Sequence, residues 1–85
     1  MAANVTVYTM DFCPYCERAK GLLKERGVSY SEVKVPMDDE AQWDALEKKT
    51  GLKTMPQILH GEKLIGGYTD LAAIDQKDRL ASLKA

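Results

Sequence analysis

Two cysteines, Cys13 and Cys16, are separated by two residues and directly follow a short apolar run. They are the only cysteines in the 85-residue sequence, and their position restricts the possible folds more than any other feature. The preceding run, Val5–Thr9, is rich in β-branched and aromatic residues and predicts a strand. Pro14 suits the first turn of a helix, because the N–H that proline lacks would have no intrahelical partner there. The pair is therefore predicted to lie where a strand passes into a helix.

The first half of the chain predicts a β-α-β unit. The first helix should begin at Cys13 or Pro14 and end before Gly27, with apolar side chains recurring at helical spacing. A second strand is predicted over Ser29–Val35, closed by Pro36. Two strands joined in this way are parallel, and their crossover is right-handed.

The next stretch predicts a helix and a hairpin. The second helix should begin after a cap formed by Asp38 or Asp39 and end at Gly51. Two short strands, Gln57–His60 and Lys63–Gly66, are then joined by a tight turn.

The last helix is predicted to start near Thr69 or Asp70. A polar run at 75–79 interrupts its apolar spacing, so we expect either a kink there or a short final helix capped by Asp78. The complete order, β-α-β-α-β-β-α, predicts an α/β thioredoxin-like fold with a four-stranded mixed sheet and helices on both faces. The length predicts one domain over residues 1–85.

Composition and charge exclude several classes of function. The formal net charge is −1 with acidic and basic residues interleaved, which argues against nucleic acid as a partner because phosphate binding needs a concentrated basic face. No apolar run approaches the roughly 20 residues of a membrane-spanning helix. The N-terminal residues have no export-signal pattern, so we expect a cytoplasmic protein. In that reducing compartment a cysteine pair is typically catalytic or metal-binding.

The cysteine pair has the features of a redox dithiol with unequal partners. Unpaired N–H groups and the positive end of the helix dipole favour a thiolate at Cys13, so we expect the pKa of Cys13 to be lowered. Cys16, one turn further and facing inward, should be less exposed. Cys13 is thus predicted to attack and Cys16 to resolve, with Tyr15 at the rim shielding the pair.

A structural disulfide and a zinc site are the two structural alternatives to redox chemistry. A disulfide across two residues constrains the unfolded chain little and would stabilise the fold weakly. A zinc site would need two more ligands, and only His60 remains, interpreted here as a solvated turn residue. We therefore predict no metal site within the chain.

Three motifs together resemble the small dithiol glutaredoxins. They are Cys13-Pro14-Tyr15-Cys16, Thr54-Met55-Pro56 and Gly66-Gly67-Tyr68-Thr69-Asp70. The resemblance runs from the first strand to the last helix, and three motifs in this order are far more specific than one cysteine pair.

The resemblance implies a glutathione site and assigns roles within it. Pro56 is expected to be cis, so that the backbone of Met55 pairs with the cysteine part of glutathione. Thr69 is implied to hold the γ-glutamyl carboxylate and Asp70 the amino group, although both residues could simply cap the helix. The full implied glutathione site is Tyr15, Thr54, Met55, Pro56, Gly67, Thr69 and Asp70.

Two positions depart from the pattern of the family. Relatives commonly carry Lys where this chain has Met10, and Gln or Arg where it has Trp43. Both positions usually help to hold the glycine carboxylate of glutathione, so we expect weaker glutathione affinity than is usual. Gln42, Lys49 or Lys53 could replace that contact.

By resemblance, the chain is a glutathione-dependent thiol–disulfide oxidoreductase acting in electron transport and cell redox homeostasis. It would reduce protein disulfides and glutathione mixed disulfides, with glutathione as co-substrate and no tightly bound cofactor. Expected partners are disulfide-containing or glutathionylated proteins, ribonucleotide reductase among them, and the chain is expected to be a monomer. The alternatives are a redoxin recharged by thioredoxin reductase and a glutathione-ligated iron–sulfur cluster carrier.

Overall fold

The structure, a computed structural model, describes residues 4–83. Its elements, in chain order, are β1 Val5–Thr9, α1 Pro14–Glu25, β2 Tyr30–Lys34, α2 Glu40–Thr50, β3 Gln57–His60, β4 Lys63–Gly66, α3 Tyr68–Asp78 and a short 3₁₀ helix, Ala81–Leu83. The predicted order of strands and helices is confirmed.

The four strands form one mixed sheet in the order β2-β1-β3-β4. β1 pairs with β2 in parallel, and β3 pairs with both β1 and β4 in antiparallel register. The carboxyl ends of β1 and β2 and the amino end of β3 therefore meet at one edge of the sheet. The segments after Thr9, after Lys34 and before Gln57 all emerge at this edge, which brings together residues far apart in the chain.

Helices pack on both faces of the sheet, as predicted, and bury apolar side chains there. On one face Val7 and Ile58 are opposite each other in register and pack with Leu23 of α1 and Leu71 of α3, all fully buried. Each such aliphatic side chain contributes about 1.5–3 kcal/mol by leaving water. On the other face α2 contributes Leu46 to a smaller cluster. The smaller cluster consists of Cys13, Cys16, Val35, Leu46 and Met55, with Tyr8, Met10 and Trp43 partly buried against it.

The helix boundaries follow local capping chemistry. Cys13 is the N-cap of α1, with Pro14 in the first turn, as expected. Asp39, one of the two predicted caps, accepts a hydrogen bond from the Gln42 backbone N–H at 3.1 Å. Gly51 ends α2 in the left-handed conformation, with φ of 80°, which glycine adopts without steric cost.

The last helix begins at Tyr68, next to the predicted start near Thr69 or Asp70, and Gly67 is its N-cap. It then continues as one helix to Asp78, through most of the polar stretch. Asp75 in this stretch forms an ion pair with Arg26, the C-cap of α1, Nε to Oδ1 2.6 Å, which accounts for the charged residue at this position.

The chain after α3 forms a short final helix, but Asp78 does not cap it. Asp78 is the last residue of α3, and the chain leaves the helix through Arg79 and Leu80, both with positive φ. The Leu83 N–H then donates to the Leu80 carbonyl at 2.9 Å. Leu80 is fully buried, so its side chain anchors this left-handed exit.

Two further predictions are corrected by the strands. β2 is one residue shorter at each end than predicted, and Val35 lies beyond it as a buried residue. His60 is not a solvated turn residue: it ends β3 opposite Val5, half-buried, and its Nε2 is enclosed without a hydrogen-bond partner. No helix within residues 4–83 has the length and apolar character to cross a membrane.

Candidate active site

The two cysteines lie at the sheet edge where β1 and β2 end. Their Cα atoms are 5.2 Å apart, and their sulfurs are at disulfide-bonding distance. Cys13 is 8% exposed and Cys16 is fully buried. Of the two cysteines, only Cys13 therefore retains any solvent exposure.

The start of α1 holds the Cys13 sulfur in a defined place. Cys13 has an extended backbone, and its Sγ accepts a hydrogen bond from the Cys16 N–H at 3.2 Å. The Cys13 carbonyl accepts from the N–H groups of Cys16 and Glu17 at 3.1 and 3.2 Å. The sulfur thus lies at the positive end of the helix dipole, where negative charge is stabilised.

A polar network fixes α1 against the two parallel strands. Thr9, buried at the end of β1, donates its hydroxyl to Glu32 of β2 at 2.7 Å. Lys20 of α1 bridges Glu32 and Glu17 at 3.1 and 2.9 Å. The Thr9 hydrogen bond, with help from Lys20, lowers the pKa of Glu32, and the hydrogen bond to Glu17 raises the pKa of Lys20. Both groups are therefore held in their charged forms.

A groove of about 160 Å³ opens beside Tyr15. The structure brings together there every predicted glutathione contact except Asp70. The lining residues are Tyr15, Thr54, Met55, Pro56, Gly67, Tyr68 and Thr69. Met55 also packs in the cluster that contains Cys13 and Cys16, so the groove and the cysteines share a wall.

Asp70 is exposed, does not line the groove, and acts as a helix-capping residue. Its Oδ2 accepts a hydrogen bond from the Gly67 N–H at 3.0 Å. Gly66 makes this possible: its φ is 125°, and a Cβ there would overlap the Asp70 carboxylate. The capping function that the sequence offered for Asp70 is therefore present.

The loop that forms one wall of the groove is held by Gln57. The Met55–Pro56 bond is cis, as the resemblance implied. Gln57 is fully buried; its Nε2 donates to the Leu52 carbonyl at 3.0 Å, and its Oε1 accepts from the Thr50 hydroxyl at 2.7 Å. These two bonds connect the end of α2 to the start of β3 across the loop, and so fix the segment that carries Thr54 to Pro56.

Sequence reasoning missed two neighbours of Tyr15. Tyr68 lines the groove, and its ring centroid is 6.0 Å from that of Tyr15. The Arg18 guanidinium lies 5.3 Å from the Tyr15 ring centroid, within the range of a cation–π contact. The contact between Arg18 and Tyr15 could have been predicted, because residues three positions apart on one helix lie on the same side. Tyr68 lies inside the third motif, but nothing in the sequence showed that its ring meets Tyr15.

A second cavity of about 220 Å³ lies between β1 and α2. Gln42 and Lys49 line it, and the Lys49 Nζ is 5.9 Å from the Tyr8 ring centroid. Lys53 is instead paired with Glu47 at 3.6 Å. The lining residues are Tyr8, Val35, Gln42, Ala45, Leu46 and Lys49.

Met10 and Trp43, the two departures from the family pattern, both pack against the cysteine cluster. Trp43 is partly buried, and its indole N–H donates to the Pro36 carbonyl at 2.9 Å. Their side chains therefore contribute apolar contacts near Cys13 and Cys16. Within residues 4–83 no three His, Cys, Asp or Glu side chains group in a way that could hold a metal ion.

Comparisons with known proteins agree with the motifs. The family model for glutaredoxins matches residues 5–65. The chain is 44% identical to glutaredoxin 3 of Escherichia coli strain K12 over 82 residues, covering 95% of this chain and 96% of the relative. It is 40% identical to a glutaredoxin of Pseudomonas aeruginosa over 79 residues, covering 93% of each.

Solved structures show the same fold. A buckwheat glutaredoxin–glutathione complex matches with a TM-score of 0.84 and 28% identity, covering 95% of this chain and 76% of that one. The holo form of glutaredoxin C1 from Populus tremula × tremuloides matches with a TM-score of 0.84 and 34% identity, covering 96% and 76%. The thioredoxin-like arrangement predicted from the sequence is confirmed.

Proposed function

The chain belongs to the glutaredoxin family, and we propose that it reduces disulfides with electrons from glutathione. Family membership and the cysteine pair at disulfide distance support a thiol–disulfide oxidoreductase. The observation that best supports glutathione dependence is the position of Met55, which belongs to the cysteine cluster and also lines the groove. A tripeptide in that groove can bring its sulfur to Cys13.

In the first step the Cys13 thiolate attacks one sulfur of a substrate disulfide. A bond forms between that sulfur and Cys13, the substrate disulfide breaks, and the other sulfur leaves as a thiolate. Cys13 takes this role because it keeps some solvent exposure, whereas Cys16 is fully buried. The Cys16 N–H, 3.2 Å from Cys13 Sγ, stabilises the attacking anion.

In the second step another thiolate releases Cys13. When the bound partner is glutathione, a second glutathione attacks the mixed disulfide, oxidised glutathione leaves and Cys13 is regenerated. When the bound partner is a protein, the Cys16 thiolate attacks Cys13, expels the protein thiolate and leaves a Cys13–Cys16 disulfide. Two glutathione molecules then reduce that disulfide, so two electrons pass from glutathione to the substrate in either route.

The groove orients glutathione in this proposal. The backbone of Met55 pairs with the cysteine part of the tripeptide, beside Thr54, Pro56 and the ring of Tyr15. In the first turn of α3, the backbone N–H and the hydroxyl of Thr69 suit the γ-glutamyl carboxylate. Asp70 holds this turn through the Gly67 N–H and pairs with the amino group. The buckwheat glutaredoxin–glutathione complex, which has the same fold, supports glutathione as the ligand.

The proposed chemistry also suggests a cellular compartment and a class of protein clients. A dithiol that exchanges with glutathione works where the thiol pool is reduced, so we place the protein in the cytoplasm. There it would act as a single-domain monomer in electron transport and redox homeostasis, with glutathionylated proteins or disulfide enzymes such as ribonucleotide reductase as clients. The packing of Met10 and Trp43 where relatives carry polar side chains supports a weaker hold on the glycine carboxylate.

Two assays test the proposal. Turnover of a small glutathione mixed disulfide is measured with glutathione and glutathione reductase, and separately with thioredoxin reductase as the only reductant. Glutathione is expected to support turnover; recharging by thioredoxin reductase alone would identify a different kind of redoxin. Cys13→Ser is expected to abolish turnover and Cys16→Ser to retain it, whereas activity that survives the loss of Cys13 would refute the roles.

A further inference from the structure

Exposed apolar side chains are concentrated at the edge that carries the cysteines. Among residues 4–83, the large apolar side chains open to solvent are Phe12, Tyr15, Val33 and Met37. Tyr15 belongs to the glutathione groove, and Val33 lies within β2. Phe12 and Met37, 94% and 59% exposed, follow the ends of β1 and β2. We call these two residues the apolar rim.

Two contacts hold the segments of the apolar rim side by side. The Val35 N–H donates to the Thr9 carbonyl at 2.8 Å, where the chain leaves the two strands. Asp11 forms an ion pair with Lys34, Oδ1 to Nζ 3.1 Å. The rim therefore follows a fixed edge of the sheet, although its own side chains face solvent.

The backbone of Phe12 has an unfavourable conformation that burial of its side chain does not explain. Its φ is 57°, in the left-handed region, which is unusual for a bulky side chain. Such conformations persist where the surroundings impose them and cluster at functional sites. Here the next residue is the nucleophile Cys13, and the strained turn presents an aromatic ring to solvent beside it.

We propose that the apolar rim is a docking surface for protein clients whose reactive cysteine has an apolar neighbour in sequence. The inference rests on the proposed attack of Cys13 on disulfides. A disulfide bond to Cys13 brings the client backbone against the residue that precedes it. Phe12 does not line the groove, so we expect its ring to contribute little to the binding of glutathione. The rim would therefore select among polypeptides without affecting small mixed disulfides.

The test uses two short peptides, each closed by one disulfide and identical except for Leu or Ser beside one cysteine. Protein reduced chemically beforehand reacts with each peptide in a single turnover, so glutathione is not needed. Cys13 forms a mixed disulfide and frees one peptide thiolate; Cys16 then expels the second and forms the Cys13–Cys16 disulfide. The wild type is expected to prefer the Leu peptide about tenfold, equivalent to about 1.4 kcal/mol.

Phe12→Asn is the test variant, because asparagine tolerates left-handed backbone and should fold at least as well. It is expected to remove most of the preference while leaving turnover of the glutathione mixed disulfide of 2-mercaptoethanol unchanged. Val33→Thr, which alters another exposed apolar residue, should keep the preference. A full Leu preference in Phe12→Asn overturns the proposal.

Two further outcomes are decisive. Sedimentation at the assay concentration is expected to give the same mass for wild type and Phe12→Asn. A wild-type dimer that Phe12→Asn dissociates would show that a second copy of the chain occupies the rim, which overturns the proposal. Failure of glutathione to support steady-state turnover, with the peptide preference intact, would refute the proposed function and leave the docking surface standing.

Discussion

Gln57 gives a prediction whose size can be worked from the structure. In Gln57→Met the volume is nearly kept and both hydrogen bonds of the amide are lost. The Thr50 hydroxyl retains an acceptor, the Leu46 carbonyl at 3.0 Å, so the Leu52 carbonyl is the group left without its donor. An unsatisfied carbonyl of this kind costs about 1–3 kcal/mol of the free energy of unfolding.

Gln57→Ala adds a cavity to the same lost hydrogen bond. The position is fully buried, so we expect a total loss of about 3–4 kcal/mol. Both variants should also raise the KM for a glutathione mixed disulfide with a smaller change in kcat, because the loop carrying Thr54 to Pro56 loses its anchor while Cys13 keeps its own.

Denaturant unfolding with the m-value checked, together with steady-state kinetics, measures both effects. Gln76→Met, at an exposed position of α3, is the matched control and should stay within about 0.5 kcal/mol of the wild type. A Gln57→Met protein as stable as the wild type would refute the reasoning, as would a Gln57→Ala protein no less stable than Gln57→Met.

Two other predictions concern folding electrostatics and the groove. The folded-state pKa of Glu32 is lowered, so the ionised carboxylate stabilises the fold above its ordinary pKa of 4.5, and this stabilisation is lost as pH falls through the folded-state pKa. Glu32→Gln should therefore flatten the decline in the free energy of unfolding below about pH 5. An unchanged pH profile would contradict the network with Thr9 and Lys20. Gly66→Ala should lower the free energy of unfolding by about 2–4 kcal/mol, because alanine is strained at this positive φ and its Cβ would displace the capping carboxylate of Asp70. Calorimetry should also show weaker glutathione binding. Gly21→Ala, in open space within α1, should instead be neutral or stabilising, and equal losses in both variants would refute this account.

The order of elements and the place of the cysteines could be read from the sequence because local signals carried them. The β-branched run, Pro14 in a first turn and Gly51 at a helix end each act within a few residues. The continuation of the last helix through Asp75 was not predicted, because Asp75 pairs with Arg26 at the end of α1 and a pairing across 49 positions leaves no local signature.

The candidate site divides in the same way. The groove residues could be predicted because each motif is contiguous in the sequence, and the family resemblance implied that the motifs form one glutathione site. The meeting of Tyr68 with Tyr15 and the anchoring role of Gln57 needed coordinates. His60 ends the strand predicted for it, but its side chain is half-buried and not solvated as in a turn, because β3 pairs with β1 there and places His60 opposite Val5.

The most direct measurement incubates the Cys16→Ser protein with oxidised glutathione and maps the product by mass spectrometry. The protein is predicted to carry one glutathione, attached by a disulfide to Cys13, and reduced glutathione should remove it at the rate of steady-state turnover. A Cys13 that stays unmodified, or an adduct that reduced glutathione cannot remove, would contradict glutathione as the electron donor.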